Sequence, residues 1–442
     1  MDVSAAGQRL RYQNEGPEEA EEALGGCERT FWLKSTLDSN INLSGNVHFV
    51  VPPDPVAFTD VNATYLSVSF QVFRWDGSRL SDVDKVFLSP NSLASIFRSV
   101  QVSLNGAPLD PSNAYNWSST LTSYLGMAKS AREDVWERLA GMRLPGFNSS
   151  QLLASDVGYF VDPIKQVAGS NVVTLTGRLM SDFTQSCAQL LPPGIKIEVN
   201  LARNPDSVPL CACNEDTSVR YKLQINSASL FLRRVKMSEA VLGRTLRSIA
   251  EGAYISYTRM GVIVNQIPAS GVSFRAGNIF GGGTLPHTLY IVLANQQAYS
   301  GSLRHLANFL ESGFLRSLQL FENGRPVLAQ PMRMHYVYTE DGYTIDTHQS
   351  DATEPFLSVT QALDGIANTQ IAASLSYDEF LAGCVVYCVQ LNSCGGRRMG
   401  PGFVDVELEL EEDVHRAPMN LLCFGEFDKT LHFDANLQLL PN

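Results

Sequence analysis

Charge is the first thing this chain has little of. Of 442 residues only 18% are Asp, Glu, Lys or Arg, against roughly 25% in ordinary soluble domains. A long chain with so little charge is expected to have much of its surface covered by partners, because interface centres are depleted in charged residues. The balance is acidic, with 33 Lys and Arg against 45 Asp and Glu, a net −12. No basic run goes beyond pairs such as Arg233-Arg234 and Arg397-Arg398. Such a surface is not built to neutralise phosphates, so direct sequence-specific nucleic-acid binding is not expected.

Long apolar runs are also missing. No stretch approaches the ~20 apolar residues of a membrane span, and the opening MDVSAAGQRLRYQNEG has no apolar core of the kind a secretory leader needs. The eight cysteines are therefore expected to be reduced, and the sequons at Asn42, Asn62, Asn116 and Asn148 unmodified.

Motifs that carry chemistry are scarce. The seven histidines (His48, His287, His305, His335, His348, His415 and His432) form no H-x-H pair. The cysteines lack paired C-x-x-C units. Cys211-Ala-Cys213, beside Pro209 and Asn214, reads as part of a loop; Cys384 and Cys388 read as small hydrophobes in the apolar run CVVYCVQL. A zinc site built from these and Cys394 is the alternative. Gly281-Gly282-Gly283 lacks the Lys-Ser/Thr of a phosphate-cradling loop and reads as a flexible loop leading into a strand. No G-x-S-x-G surrounds a serine, and Glu411, Glu412 and Asp413 read as a solvated charge run rather than an acid/base pair. No catalytic residue, metal ligand or cofactor is assigned.

What is present is β pattern. Leu66, Val68, Phe70 and Val72 alternate with Ser67, Ser69 and Gln71, the period-2 signature of a strand with one buried face. Ile195–Leu201 and Val404–Leu410 alternate in the same way. Turn pairs Asp76-Gly77, Asn105-Gly106, Asn323-Gly324 and Asp341-Gly342 punctuate the runs. Helices are few: one or two over 115–141, and one over 238–251, where Ser238 is a candidate N-cap and Gly252 the stop. Before all this lies an acidic segment, residues 1–30, with Glu15, Glu18, Glu19, Glu21 and Glu22 around Pro17. It has too little apolar surface to offset its ordering entropy and reads as a flexible arm.

An internal repeat organises the rest. Residues 98–109, RSVQVSLNGAPL, match 316–327, RSLQLFENGRPV, at an offset near half the chain length. Each copy is a strand running into an Asn-Gly turn, so Asn105, Gly106, Asn323 and Gly324 are expected at tight hairpin tips, where φ is positive. An apolar strand precedes each hairpin and an alternating strand follows. The natural reading is one β-sandwich topology used twice and joined by a helix: a first sandwich over 31–237, a linker helix over 238–254 and a second sandwich over 255–442.

Several segments resemble, in collinear order, the major capsid proteins of Polinton/Maverick elements and adintoviruses. They are NATYLSVSFQV (62–72), SIFRSVQVSLNGAPLDP (95–111), GRLMSDF (177–183), LPPGIKIEVNLAR (191–203), YKLQINSASLFLRRVKMSEAVLGRTLRSIAEGAYISY (221–257), LPHTLYIVLANQQAYSGS (285–302), LQLFENGRPV (318–327) and GEFDKTLHFD (425–434). The resemblance covers nearly everything after residue 31. It does not extend to the acidic arm, and the stretches 342–376 and 393–400 depart from it.

The resemblance implies a mainly β chain of two tandem antiparallel jelly-roll sandwiches, a double jelly roll with a few short helices. It implies a homotrimer forming a pseudo-hexameric capsomer of an icosahedral shell around double-stranded DNA. Neighbouring capsomers and penton or minor capsid proteins would be its partners. The chain would be made in the host cytoplasm and end in the virion, with nuclear assembly left open. The competing expectations are a two-domain β-sandwich hydrolase or oxidase, or a minor vertex protein of the same virus.

Overall fold

The computed structural model describes residues 27–36, 46–127, 129–142, 150–187, 189–214, 216, 218–250, 254–312, 314–337, 345–364, 375–381, 384–391, 401–411, 417–434 and 436–440. Most of the acidic arm, the Asp341-Gly342 turn, Cys394, His415, Glu412, Asp413, Asn42, Asn148 and Gly252 lie outside the described residues.

The first half contributes β1 (Cys27–Thr36), β2 (Asn46–Val51), β3 (Ala57–Arg74), β4 (Val86–Leu88), β5 (Phe97–Leu104), β6 (Ala107–Pro108), β7 (Ser112–Asn113), β8 (Val173–Arg178), β9 (Ile197–Arg203), β10 (Leu210–Ala212) and β11 (Tyr221–Met237). The second contributes β12 (Tyr254–Ile267), β13 (Ser273–Thr284), β14 (Thr288–Asn295), β15 (Leu315–Glu322), β16 (Arg325–Pro326), β17 (Met332–Arg333), β18 (Tyr387–Gln390), β19 (Pro401–Leu410) and β20 (Met419–His432). Three helices matter below: α1 (Tyr115–Gly126), α2 (Glu239–Ala250) and α3 (Thr353–Asp364).

Pairing follows one plan twice. One sheet of the first half runs β1-β11-β3-β8, and its counterpart runs β12-β20-β14-β18. The facing sheet runs β2-β9-β5-β6 with β7 also on β5; its counterpart runs β13-β19-β15-β16 with β17 on β15. Set aside the short β4–β10 pair, and the strands of the two halves correspond one to one in chain order. Each half is an antiparallel jelly roll, and the chain is a double jelly roll.

The alternating runs do what their period requires. In β3, Leu66, Val68, Phe70 and Val72 are all at most 1% exposed, while Ser67, Ser69 and Gln71 are half-buried on the other face. Each such side chain contributes about 1.5–3 kcal/mol on leaving water. β14 is buried along its whole length, which is why its sequence, TLYIVLAN, is apolar without alternation. The strand β1 begins at Cys27, inside the segment expected to be an arm through residue 30.

Two expectations are corrected. The glycine run 281–283 is not a loop but the end of β13, where Gly283 pairs with Gly402 and Thr284 with Pro401. Glycine lets this edge strand continue through two irregularities, with Asn278, Phe280 and Gly282 at positive φ. Cys211 is likewise not in a loop, whereas Cys213 lies just past the strand. Leu210–Ala212 is a strand pairing with β4, and both thiols are buried.

The bulged β13 turns Phe280 onto the other sheet. There Gly261 and Gly425 are direct cross-strand partners, and the Phe280 ring sits over them, 5.4 Å edge-to-face from Phe427. A Cβ on Gly425 would lie 2.9 Å from that ring and from Pro286. Gly425→Ala is therefore expected to cost about 1–3 kcal/mol, whereas Gly243→Ala, in open space within α2, should gain up to about 1 kcal/mol. Urea midpoints for the two variants check this; equal midpoints would contradict it.

Candidate functional site

Asn105-Gly106 lies between β5 and β6, and Asn323-Gly324 between β15 and β16. Asn105 has φ 49° and Gly106 83°; Asn323 has 51° and Gly324 78°. Each asparagine also clamps the start of the neighbouring strand in the same two-bond pattern. Asn105 donates its N–H to the Lys196 carbonyl at 2.9 Å and accepts from the Lys196 N–H at 2.8 Å. Asn323 does the same with Phe403, at 3.0 and 3.1 Å. Asn105 makes one further bond, from Nδ2 to the Leu437 carbonyl at 2.7 Å, which ties the C-terminal segment to the first sandwich. These four residues hold each sandwich's corner; they do not form a shared site.

The residues that do converge lie along the seam between the sandwiches. Each core borrows side chains from the other half. The first core includes Ile255, Tyr257, Leu431 and Phe433, while the second includes Trp117, Leu121, Tyr124 and Leu125 from α1. Ten of the twelve residues of α1 are buried, although its sequence, YNWSSTLTSYLG, is rich in Ser and Thr. The hydroxyls are satisfied by the helix's own carbonyls: Thr120 bonds Asn116 at 2.7 Å, Thr122 bonds Ser118 at 2.9 Å and Ser123 bonds Ser119 at 2.6 Å.

A second strip of seam is made by residues 303–311 of the second half. Ala212 donates its N–H to Leu303 at 2.6 Å, Leu152 to Arg304 at 2.8 Å, and Leu306 to Ser150 at 2.7 Å. Beneath them Leu306 and Phe309 share an apolar cluster with Phe87, Leu152, Phe160, Cys211 and Cys213. At its centre Asn308, fully buried and at φ 65°, donates to the Pro90 carbonyl at 3.0 Å and to Ser95 Oγ at 2.7 Å, and accepts from Asn116 Nδ2 at 2.8 Å. Asn91 stands at the matching place in the first half, at φ 52°, bonding Ser119 and Thr120 of α1. The sequence held the signal: Asn91-x-Leu-x-Ser95 and Asn308-x-Leu-x-Ser312. One extra residue before β15 puts this pair out of register with the hairpin repeat and hides it.

Charge is buried along the same seam. The Arg132 guanidinium, fully enclosed, lies 3.5 Å from Glu379 of the other half and over the Tyr124 ring at 5.6 Å; Lys129 reaches Glu379 at 2.9 Å. Burial pushes the Glu379 carboxyl up, but the Ser376 N–H and hydroxyl, Lys129 and Arg132 outweigh it and hold it below the usual value. Asp182 accepts from the Met260 N–H at 3.0 Å across the seam, and burial pushes it up to about 6. Glu311, partly buried, accepts from the Ser150 hydroxyl, and desolvation pushes it up to about 7.

Among the described residues the remaining candidates do not assemble into a chemical centre. Among the described residues no group of three or more His, Cys, Asp and Glu is placed to hold a metal ion. His287 lies 3.8 Å from both Glu426 and Asp428, on the strand edge, and His305 is at the seam. Cys187, Cys211, Cys213, Cys384, Cys388 and Cys423 are buried and free, and burial raises every one of these thiols. Asn62 and Asn116 are buried and bonded, so neither sequon is presented. No described helix is long and apolar enough to cross a membrane.

With the double jelly roll and its seam established, comparison places the chain among solved structures. No protein-family model and no curated protein matches the sequence. By fold, the chain is similar to a chain of the Sputnik virophage cryo-EM structure, with TM-score 0.61, 12% identity, and coverage of 94% of this chain and 88% of that one. It is similar to a chain of the PBCV-1 virus capsid, with TM-score 0.56, 10% identity, and 94% and 97% coverage. The mavirus major capsid protein gives TM-score 0.52, 12% identity, and 93% and 90% coverage. These likenesses are of fold across almost the whole of both chains.

Glu311 generates a pH prediction. Its folded pKa stands above the usual 4.5, so the group favours folding most below that value and the benefit is lost as pH rises towards 7. Asp182 acts in the same direction, between about 4 and 6. The stability difference between Glu311→Gln and wild type should therefore shift in the variant's favour between pH 5 and 8, read by urea midpoints. A difference that does not move with pH would contradict the assignment. Asn308→Ala should cost about 2–3 kcal/mol at any pH, because it strands buried partners on both sides of the seam.

Proposed function

We propose that the chain is a viral major capsid protein and that three copies close into a pseudo-hexameric capsomer. The observation that carries this reading is the duplication itself. Two sandwiches of one topology, joined by exchanged core side chains, make a rigid pair of like wedges, and three such pairs make a ring of six under cyclic symmetry. The fold neighbours support it, since two of them are a virus capsid chain and a mavirus major capsid protein. The low charge fits a surface largely covered by neighbours.

On this reading the work of the protein is mechanical: it is a structural component of the virion rather than a catalyst. Its partners are its own copies, neighbouring capsomers and penton or minor capsid proteins. The collinear segments of the sequence support kinship with Polinton/Maverick and adintovirus capsid proteins, and with it a double-stranded DNA genome. The net charge of −12 leaves packaging of that genome to other, basic proteins. Synthesis in the host cytoplasm follows.

The test is the mass of the purified protein by size-exclusion with light scattering. A species about three times the 48.5 kDa of the chain, persisting on dilution, is expected, because obligate interfaces of several thousand Å² do not dissociate readily. A monomer at every concentration would overturn the proposal.

A further inference from the structure

The duplication sets one reactive dipeptide in two different surroundings. Asn105-Gly106 and Asn323-Gly324 each join a pair of antiparallel strands, with both residues of each at positive φ. In each the glycine stands in open space, with nothing within 4 Å of where a Cβ would lie. A side chain there would hinder approach to the backbone nitrogen, and glycine has none. An Asn-Gly pair therefore exposes the asparagine amide to attack by the next residue's main-chain nitrogen.

The two copies differ in what holds the asparagine. Both are clamped to the start of the neighbouring strand, but the Asn105 amide nitrogen is held as well, by the Leu437 carbonyl at 2.7 Å. The segment that carries Leu437 is itself braced. Asp434 accepts from the Asn436 and Gln438 N–H groups at 2.9 and 2.7 Å, and the Leu440 N–H donates to the His432 carbonyl at 2.8 Å. Leu437 and Leu439 pack against the first core. Among the described residues nothing plays this part for Asn323, whose Nδ2 has no hydrogen-bond partner. Asn323 and Gly324 are exposed, whereas Asn105 is half-buried. Asn323 also borders an open cavity of about 730 Å³, shared with Ser358 and Gln361 of α3, so water reaches it.

We infer that Asn323-Gly324 is a site of spontaneous deamidation and that the C-terminal segment protects its twin at Asn105. The Gly324 nitrogen gives its proton to solvent and attacks Cγ of Asn323. The new C–N bond closes a five-membered succinimide, the Cγ–Nδ2 bond breaks, and the nitrogen takes up a proton and leaves as ammonia. Water then adds to either ring carbonyl and reopens the ring, leaving an aspartate or an isoaspartyl link that lengthens the main chain by a methylene. No oxidant or reductant is needed. The nitrogen reaches Cγ only when the turn leaves its left-handed conformation, so the reaction draws on a locally opened state. A further hydrogen bond of ordinary net strength lowers that population about 5-fold. The product puts a new carboxylate beside Glu322, and its isoaspartyl form displaces the oxygen that accepts from Phe403. None of this depends on the trimer reading.

Peptide mapping of the purified full-length chain, sampled over days at mildly alkaline pH, tests the inference. Asn323 should convert to aspartate and isoaspartate about 5-fold faster than Asn105, or more. In a chain ending at Asp434, Asn105 should rise to the rate of Asn323, which serves as the reference within the same sample. The wild-type ratio decides the matter even if the shortened chain misfolds. Equal rates at the two turns, a faster Asn105, intact asparagine at both, or a folded shortened chain in which Asn105 stays slow would overturn the inference.

Discussion

The structure depends on an exchange of side chains across the seam. Each sandwich completes its core with residues from the other: α1 sends Trp117, Leu121, Tyr124 and Leu125 into the second, and the ends of β12 and β20 send Ile255, Tyr257 and Leu431 into the first, joined by Phe433. Cores packed at crystal-like density do not slide, so this exchange fixes the angle between the halves. A hinge between two like domains would give a flexible pair; a shared core gives a wedge of set shape.

Polar groups along the seam specify the arrangement more than they strengthen it. Asn308 bonds three partners of the first half in full burial, and a shift of either sandwich by one residue would leave all of them unsatisfied. Arg132 and Glu379 act in the same sense, since a buried pair adds little net stability but is costly to break. Glu311 and Asp182 are the exception. Their burial raises both carboxyls towards neutral pH, so the seam contains groups that oppose ionisation.

Much of the fold was legible in the residues because the sandwich is a period-2 object. The alternation in β3, β9 and β19 pointed to the right buried faces. The seam was far less legible. A helix that reads YNWSSTLTSYLG looks half-solvated, and only tertiary packing shows that its hydroxyls are turned back on its own carbonyls. Cys211 and Cys213 sit beside Pro209 and Asn214, the composition of a loop, yet pairing with β4 and Leu303 draws the segment inside. The glycine run in β13 reads as flexible, but it is the freedom of glycine that lets the strand bulge and deliver Phe280 to the opposite sheet. The equivalence of Asn91 and Asn308 was masked by a single inserted residue. In each case local composition was overruled by a partner distant in sequence.

The claim at the centre is that two like sandwiches are locked as one body in order to build a ring from three. Averaged electron micrographs of the purified protein, viewed end on, test it most directly. The account predicts a six-lobed particle with threefold symmetry and a constant angle between the paired lobes. Isolated two-lobed particles, or pairs of lobes at variable angles, would contradict it.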